Sequence, residues 1–331
     1  MSVQVLHGGL LTTVQDLGRF GFQKFGVIVS GAMDCVSMRL ANLLVGNEEK
    51  EGVLEITMFG PKIYFEQDQL VAITGGDLQP TIDGQLAPMW RPVLIRRGSI
   101  LQFNSAIRGC RSYLAFAGGI DIPPVMGSKS TYLRAGIEGL SGRALKKGDC
   151  FACGSITSPI GQSFMRQLKQ TDQPFTWSID IRQLGLFGKN EAIRVMHGSE
   201  FQRFNPESRH AFFSNFYKIT AQSNRMGYRL EGATIQLSEK FDLLSEGVTY
   251  GTIQVPSNGQ PIILMADRQT IGGYPKIGQV ITADLPRLAQ MQPNADIFFT
   301  EVSLEQAEKA LLEMEKGMAD IALGIRLKSQ F

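Results

Sequence analysis

Three glycine-rich segments gather side chains that can grip anions and move protons. The first reads Thr12-Thr13-Val14-Gln15-Asp16-Leu17-Gly18-Arg19 and is followed by Ser30-Gly31-Ala32-Met33-Asp34. The second runs from Ser223 to Gly232 and holds Arg225, Tyr228 and Arg229. The third is Ala266-Asp267-Arg268-Gln269-Thr270-Ile271-Gly272-Gly273-Tyr274-Pro275-Lys276. Arginine binds a carboxylate or phosphate through two parallel hydrogen bonds. Glycine lets backbone N–H groups approach an anion closely. Aspartate can act as a general base. Turns alone need Gly, Asn and Asp, but not Arg, Gln, Tyr and Lys together. The competing reading is a set of solvated loops with local ion pairs, such as Arg229 with Glu231.

Other chemistries are not encoded. There is no Gly-x-x-x-x-Gly-Lys-Ser/Thr phosphate loop, no His-Glu-x-x-His zinc helix and no Gly-x-Ser-x-Gly elbow. The three histidines, His7, His197 and His210, are scattered. A self-contained ATPase and a Ser-His-Asp hydrolase are therefore not expected. Cys150 and Cys153 have Cys-x-x-Cys spacing, yet no second pair exists and the nearest histidine is His197. Two ordinary thiols in a strand are expected, and no metal site. Net charge is +2, and basic runs stop at Arg96-Arg97 and Lys146-Lys147, so no nucleic-acid surface is expected. The N-terminus lacks the basic start and apolar core of a secretory signal. No apolar run approaches the roughly 18 residues of a membrane span. A cytoplasmic protein is expected, with no membrane contact.

The elements that must position these segments are mainly strands. With 331 residues, 43% hydrophobic and 19% charged, the chain can bury a sizeable core and is expected to form two domains. Leu70–Thr74, Val93–Ile95, Tyr113–Ala117, Thr252–Val255 and Ile262–Met265 are short, apolar and bounded by Gly, Pro or Asp, as strands are. Asp83-Gly84 is a hairpin signal. Two helices are predicted. One spans Met33 to Val45, with Asp34 in its first turn and Gly46 as its stop. The other starts at Ser303, where Gln306 completes a capping box. The stretch 154–174, rich in Ser, Thr, Gln and Pro, reads as a linker between domains at 1–160 and 175–331. A faint echo relates Glu55–Thr57 and Ala72–Gly76 to Thr252–Gln254 and Gln269–Gly273. The expected fold class is mainly β, as barrels with a few packed helices.

In this order, the three segments resemble the family formed by the C subunit of 5-oxoprolinase, also called the allophanate hydrolase subunit 2 or Kip antagonist family. That family is similar to the carboxyltransferase domain of urea carboxylase. The resemblance runs from Leu10 to about Phe299. It includes Leu10–Asp16, Ser30–Asp34, Leu44–Asn47, Leu54–Pro61, Ala117–Ile120, Gly127–Thr131 and Gly142–Leu145. The stretch Asp267–Lys276 is the most family-specific.

The resemblance implies two cyclophilin-like β-barrel domains. It implies a direct partner, the 5-oxoprolinase B subunit, which resembles a Kip inhibitor, and an A subunit in the full complex. Together these would open the small amide 5-oxo-L-proline to L-glutamate with ATP. The resemblance allows an ATP site shared with a partner, and Mg could accompany the nucleotide. Phosphorylating the lactam oxygen would make the ring carbon electrophilic, which calls for a carboxylate anchor, cations and a base. By residue type, Arg225, Arg229 and Arg268 suit the first two roles, with Lys276 assisting, and Asp267 or Asp34 suits the third. The candidate catalytic set is thus Asp34, Asp267, Arg268 and Lys276. The candidate substrate-binding set is Arg19, Asn42, Arg225, Tyr228, Arg229, Gln269, Thr270, Gly272, Gly273 and Tyr274. Some members of the family are labelled biotin-dependent carboxyltransferases, acting on urea or a related amide. No biotin-acceptor Met-Lys-Met segment occurs on this chain. A regulatory role is a further alternative, in which the protein relieves an inhibitor of a sporulation sensor kinase, an inhibitor that itself resembles the B subunit.

Overall fold

The computed structural model describes residues 2–137, 139–171, 173–185, 192–239 and 243–330. The chain divides into two compact units, each assembled from separated stretches. The first comprises residues 1–19, 30–185 and 316–331; the second comprises residues 20–29 and 186–315. Both are mainly β, as the short apolar segments predicted. Each of the five strand segments read from the sequence matches a strand, with Ala117, Val255 and Met265 one residue past the strand ends.

In the first unit, five antiparallel strands form one sheet in the order Leu11–Gln15, Val53–Thr57, Arg108–Phe116, Gln69–Asp77 and Pro92–Ile95. Alternate residues serve two cores, because side chains along a strand point to opposite faces. Leu54, Ile56, Val71, Ile73, Leu114 and Phe116 join Val3, Val5, Ile63 and Leu101 of a six-stranded sheet. Val53, Leu70, Ala72, Tyr113 and Ala115 face helices Cys35–Val45 and Pro159–Thr171, through Met38, Leu44, Phe164 and Leu168. Burial on both faces explains why these strands read as continuous apolar runs.

Helix Cys35–Val45 ends at Gly46 in the left-handed conformation, as predicted. Its start differs by a turn's edge: Asp34 is the N-cap, not a first-turn residue, and accepts from Ser37 N–H at 2.9 Å. Asp83 and Gly84 both have positive φ, the combination a two-residue hairpin requires. The stretch read as a linker contains helix Pro159–Thr171. Ile160, Phe164 and Leu168 recur every fourth residue, enough for one packed seam inside a polar composition. Of the internal echo, Glu55–Thr57 and Thr252–Gln254 both lie in strands, but the second pair differs. Ala72–Gly76 lies within a nine-residue strand, whereas Gln269–Gly273 is a turn entering a two-residue strand. Cys150 is exposed and Cys153 buried, both as free thiols. Burial pushes the Cys153 thiol up to about 12.

The main sheet of the second unit has eight strands. Their order is Asp296–Ile297, Tyr217–Ile219, Gly227–Glu231, Ile262–Leu264, Thr252–Gln254, Lys276–Val280, Ile193–His197 and Phe299–Glu301. The first and last strands of this order are separated in sequence only by Phe298, so the sheet nearly closes into a barrel. Helix Leu304–Lys328 begins with the predicted capping box: Ser303 N–H donates to Gln306 Oε1 and Gln306 N–H donates to Ser303 Oγ. Among the described residues, no helix is long and apolar enough to cross a membrane.

One ion pair should make the first unit acid-sensitive. Arg143 forks onto Asp149 with both contacts at 2.7 Å. That guanidinium, aided by Lys146 N–H and opposed by burial, holds the Asp149 carboxyl below its ordinary value of 3.8. A depressed folded-state value stabilises the fold above the unfolded value and loses that stabilisation as pH falls through the folded one. Urea midpoints of the wild type should therefore fall below about pH 4, and Asp149→Asn should flatten that part of the profile.

Candidate functional site

Where the helix-facing core of the first unit ends, the same sheet face turns polar. Glu55 follows Val53 by two residues and is paired in register with Thr13 and Tyr113. The Tyr113 hydroxyl accepts Asp34 N–H at 2.7 Å and donates to Glu55 Oε2 at 2.9 Å. Met33 N–H donates to the same oxygen at 2.7 Å. Arg111 Nε lies 3.9 Å from Glu55 Oε1. Burial above all, with the charges of Glu55 and Asp34, drives the Tyr113 pKa well above its ordinary value.

The sequence-predicted residues of this unit are all buried and bonded within the fold. Asp34 accepts Ser37 N–H at one oxygen and the Ser37 hydroxyl, at 2.6 Å, at the other. Arg19 donates to the carbonyls of Ser130 and Val125. Asn42 donates to the carbonyls of Glu49 and Glu51 and accepts from Asn47. Asp34 caps a helix, and Arg19 and Asn42 tie neighbouring loops to the fold.

In the second unit, the segment after strand Ile262–Leu264 is tied to residues 225–226. Asp267 N–H donates to Arg225 O at 2.7 Å and Met265 N–H donates to Met226 O at 3.0 Å. The Arg225 guanidinium then forks onto the Asp267 carboxylate, Nε to Oδ2 and Nη2 to Oδ1, both at 2.9 Å. Both side chains are almost wholly buried. From this anchor the chain continues through Arg268, whose guanidinium lies 5.9 Å from the Tyr250 ring centre. Burial draws the Arg268 pKa down, against the pull of Tyr250 and Asp267. Val248 N–H then donates to Thr270 O, and Ile271–Gly272 pairs with Glu246–Gly247 as a short ribbon. At Gly272 a Cβ would meet Gln254 Nε2 at 2.5 Å, so a side chain there would displace the Gln254 amide.

The segment ends at Lys276, the first residue of strand Lys276–Val280. Pairing with strand Thr252–Gln254 runs Thr252 to Gln279, Ile253 to Gly278, then Gln254 to Lys276, so Ile277 is an extra residue. That bulge matters because residues three apart on a regular strand face opposite sides. Here it brings Lys276 and Gln279 onto one side with Thr252. With Ser199, Glu246, Thr249 and His197 they line a cavity of about 300 Å³.

The charges of this cavity are set by Lys276. Its ammonium reaches Glu246 Oε2 at 2.6 Å, Glu200 Oε2 at 3.4 Å and Ser199 Oγ at 3.3 Å. Glu200 also accepts Lys276 N–H at 2.9 Å. Burial alone would lower the Lys276 pKa, but the bond to Glu246 and the two carboxylate charges outweigh it and raise it. Glu200 shows the converse: burial pushes it up, and the Lys276 N–H, Ser199 and the ammonium together hold it below its ordinary value of 4.5. Beside the ammonium, the Thr252 and Thr249 hydroxyls donate to Gln279 Oε1 at 2.8 and 3.0 Å.

Of the third segment's residues, Lys276 lines the cavity, while Asp267 is engaged by Arg225. Gln269, Gly273 and Tyr274 are exposed, Thr270 is half-buried, and Arg229 points outward from its strand while Tyr228 points inward. Sequence reasoning missed Glu200, Glu246, Ser199, Thr249, Thr252 and Gln279. The one signal for them was Gly278 inside a strand pattern, which marks bulges and close approaches.

A family model described as "Carboxyltransferase domain, subdomain A and B" matches residues 25–301. The chain is 41% identical to the 5-oxoprolinase C subunit of Escherichia coli (strain K12), covering 97% of this chain and 97% of that protein. It is 38% identical to the 5-oxoprolinase C subunit of Haemophilus influenzae, over 93% of each. Its fold matches the solved urea amidolyase of K. lactis with a TM-score of 0.85 and 28% identity, covering 97% of this chain but 20% of that one.

Two substitutions separate structural from chemical roles. Asp34→Ala removes an N-cap and should cost about 1–2 kcal/mol in urea unfolding, with Asp34→Asn recovering most of it. Asp267→Asn leaves Arg225 buried without its counter-charge and should cost about 3–5 kcal/mol. Pairing Asp267→Leu with Arg225→Met should recover much of that loss, since the orphan charge is then gone.

Proposed function

This chain belongs to the carboxyltransferase domain family, subdomain A and B, and on that premise we propose that it is one component of an ATP-dependent 5-oxoprolinase. The complex hydrolyses 5-oxo-L-proline to L-glutamate, with a B subunit as direct partner and an A subunit to complete it. The observation that carries this reading is the 41% identity to the 5-oxoprolinase C subunit across 97% of both chains. The cytoplasm, where ATP and 5-oxoproline are available together, suits this role.

The cavity around Lys276 fits a small amide and not a nucleotide. At about 300 Å³ it stands at the small end of ligand sites. One ammonium is set against two carboxylates, an unfavourable surrounding for a triphosphate. ATP and any Mg are proposed to bind elsewhere, at a site shared with a partner subunit, where ATP would supply the activation of the lactam oxygen. This chain's part is to bind and orient the amide. Lys276, fixed and charged, offers the cation, while the Thr249–Thr252–Gln279 array offers hydroxyl and amide groups for the ring.

A second reading draws on the fold match to urea amidolyase. In it the same cavity presents urea or a related amide for carboxyl transfer, with biotin carried by another chain.

The test is co-purification with the cognate B and A subunits, followed by assay of ATP-dependent glutamate release. Turnover is expected from the full set and not from this chain alone. Robust ring opening by the pure isolated chain would overturn the shared-site reading, and carboxylation of urea in place of glutamate release would favour the second. Within an active complex, Lys276→Met removes a charge-assisted contact of about 1.5–3 kcal/mol. Turnover at subsaturating substrate should then drop roughly tenfold to a hundredfold.

A further inference from the structure

We propose that Glu246 is a competitor for the substrate's carboxylate: it holds the position on Lys276 that an anionic lactam must take, and it leaves when that anion enters. This rests on the proposed function for the identity of the anion, but the geometry stands independently. An ammonium has three N–H donors, and Lys276 has three acceptors within reach: Ser199 Oγ, Glu200 Oε2 and Glu246 Oε2. An incoming carboxylate must replace one of them.

Glu200 is not the one to leave. It is buried, and it is bonded a second time through Lys276 N–H at 2.9 Å. Expelling it would strand a backbone donor and a buried carboxylate together. Ser199 is neutral, so its replacement would place three carboxylates around one ammonium. Glu246 differs on both counts. Its side chain is 54% exposed, so water can take it up once released. Its strand is two residues long and, among the described residues, pairs only with Ile271–Gly272. Exchanging Glu246 for a substrate carboxylate leaves the charge around Lys276 unchanged. Lys276 thus selects for a carboxylate-bearing amide, and Glu246 sets how strongly it does so.

The first experiment uses the assembled complex. Glu246→Gln removes the competing charge and should lower KM for 5-oxoproline about two- to fivefold, the size expected for a half-exposed ion pair. The inhibition constant of 2-pyrrolidinone, the same lactam without a carboxylate, should not move. An unchanged or raised KM, or an equal shift for both ligands, would overturn the proposal. The second experiment does not depend on turnover. Acetate and acetamide are titrated into the full-length chain, followed by NMR of the Gly247 and Gly278 amides. Glu246→Gln should tighten acetate two- to fivefold and leave acetamide unchanged, whereas tightening of neither refutes the exchange. If the wild-type complex fails to open 5-oxoproline, the proposed substrate falls, while the acetate titration still decides the role of Glu246.

Discussion

The candidate site depends on one extra residue in one strand. Without the bulge at Ile277, Lys276 and Gln279 would face opposite sides of the sheet. A regular ladder would send either the cation or the polar amide into the barrel's hydrophobic interior, where an uncompensated charge is costly. The bulge resolves this conflict locally. It lets Ile277 fill the core while both polar neighbours turn to the cavity. Gly278 makes the bend possible, since a side chain there would meet Val195 Cγ1 at 2.5 Å.

Buried charge elsewhere in the chain serves registry. The Arg225–Asp267 fork is reinforced by a backbone bond between the same two residues, so side chain and main chain enforce one alignment. That alignment sets where the following segment starts, and hence where Lys276 arrives. In the first unit, Glu55 accepts from Met33 N–H and from Tyr113, fixing the chain just before helix Cys35–Val45. Such pairs add little net stability compared with apolar packing, but breaking one partner is expensive. They discriminate against misaligned alternatives more than they strengthen the correct one.

These distinctions bear on what was legible in the sequence. The strands and both capped helices could be read because Gly46, the Ser303–Gln306 box and short apolar runs bounded by Gly, Pro or Asp are local signals. Asp267, Arg268 and Lys276 stood out by residue type, and the family resemblance added weight to their segment. Their division of labour was not legible. Asp267 and Lys276 are both charged and lie nine residues apart in one segment. Which one is locked in an ion pair and which one faces a cavity depends on Arg225, 42 positions away, and on Glu200, 76 positions away. Glu200 and Glu246 carried no motif, because a carboxylate that partners a distant lysine needs no particular neighbours in sequence. Helix Pro159–Thr171 was hidden for a related reason: four apolar residues in thirteen, Ile160, Phe164, Met165 and Leu168, suffice when a ready-made core receives them.

The two carboxylates on Lys276 illustrate how a barrel can hold a charge ready without neutralising it. A lone ammonium at that depth would deprotonate or draw in water, because burial favours the neutral amine. A fully buried pair would keep it charged but unavailable. The structure divides the task. Glu200, in the turn after strand Ile193–His197 and bonded to the backbone of the strand it faces, supplies a permanent counter-charge. Glu246, on a ribbon of two-residue strands, supplies a removable one. Regions with few buried contacts open at lower free-energy cost than core strands. The rigid sheet therefore keeps the cation in place while the ribbon can yield to a ligand. Reversing the two positions would fail on physical grounds: a removable glutamate in the core would have no water to receive it, and a permanent one at the rim would leave the cation closed to any anion.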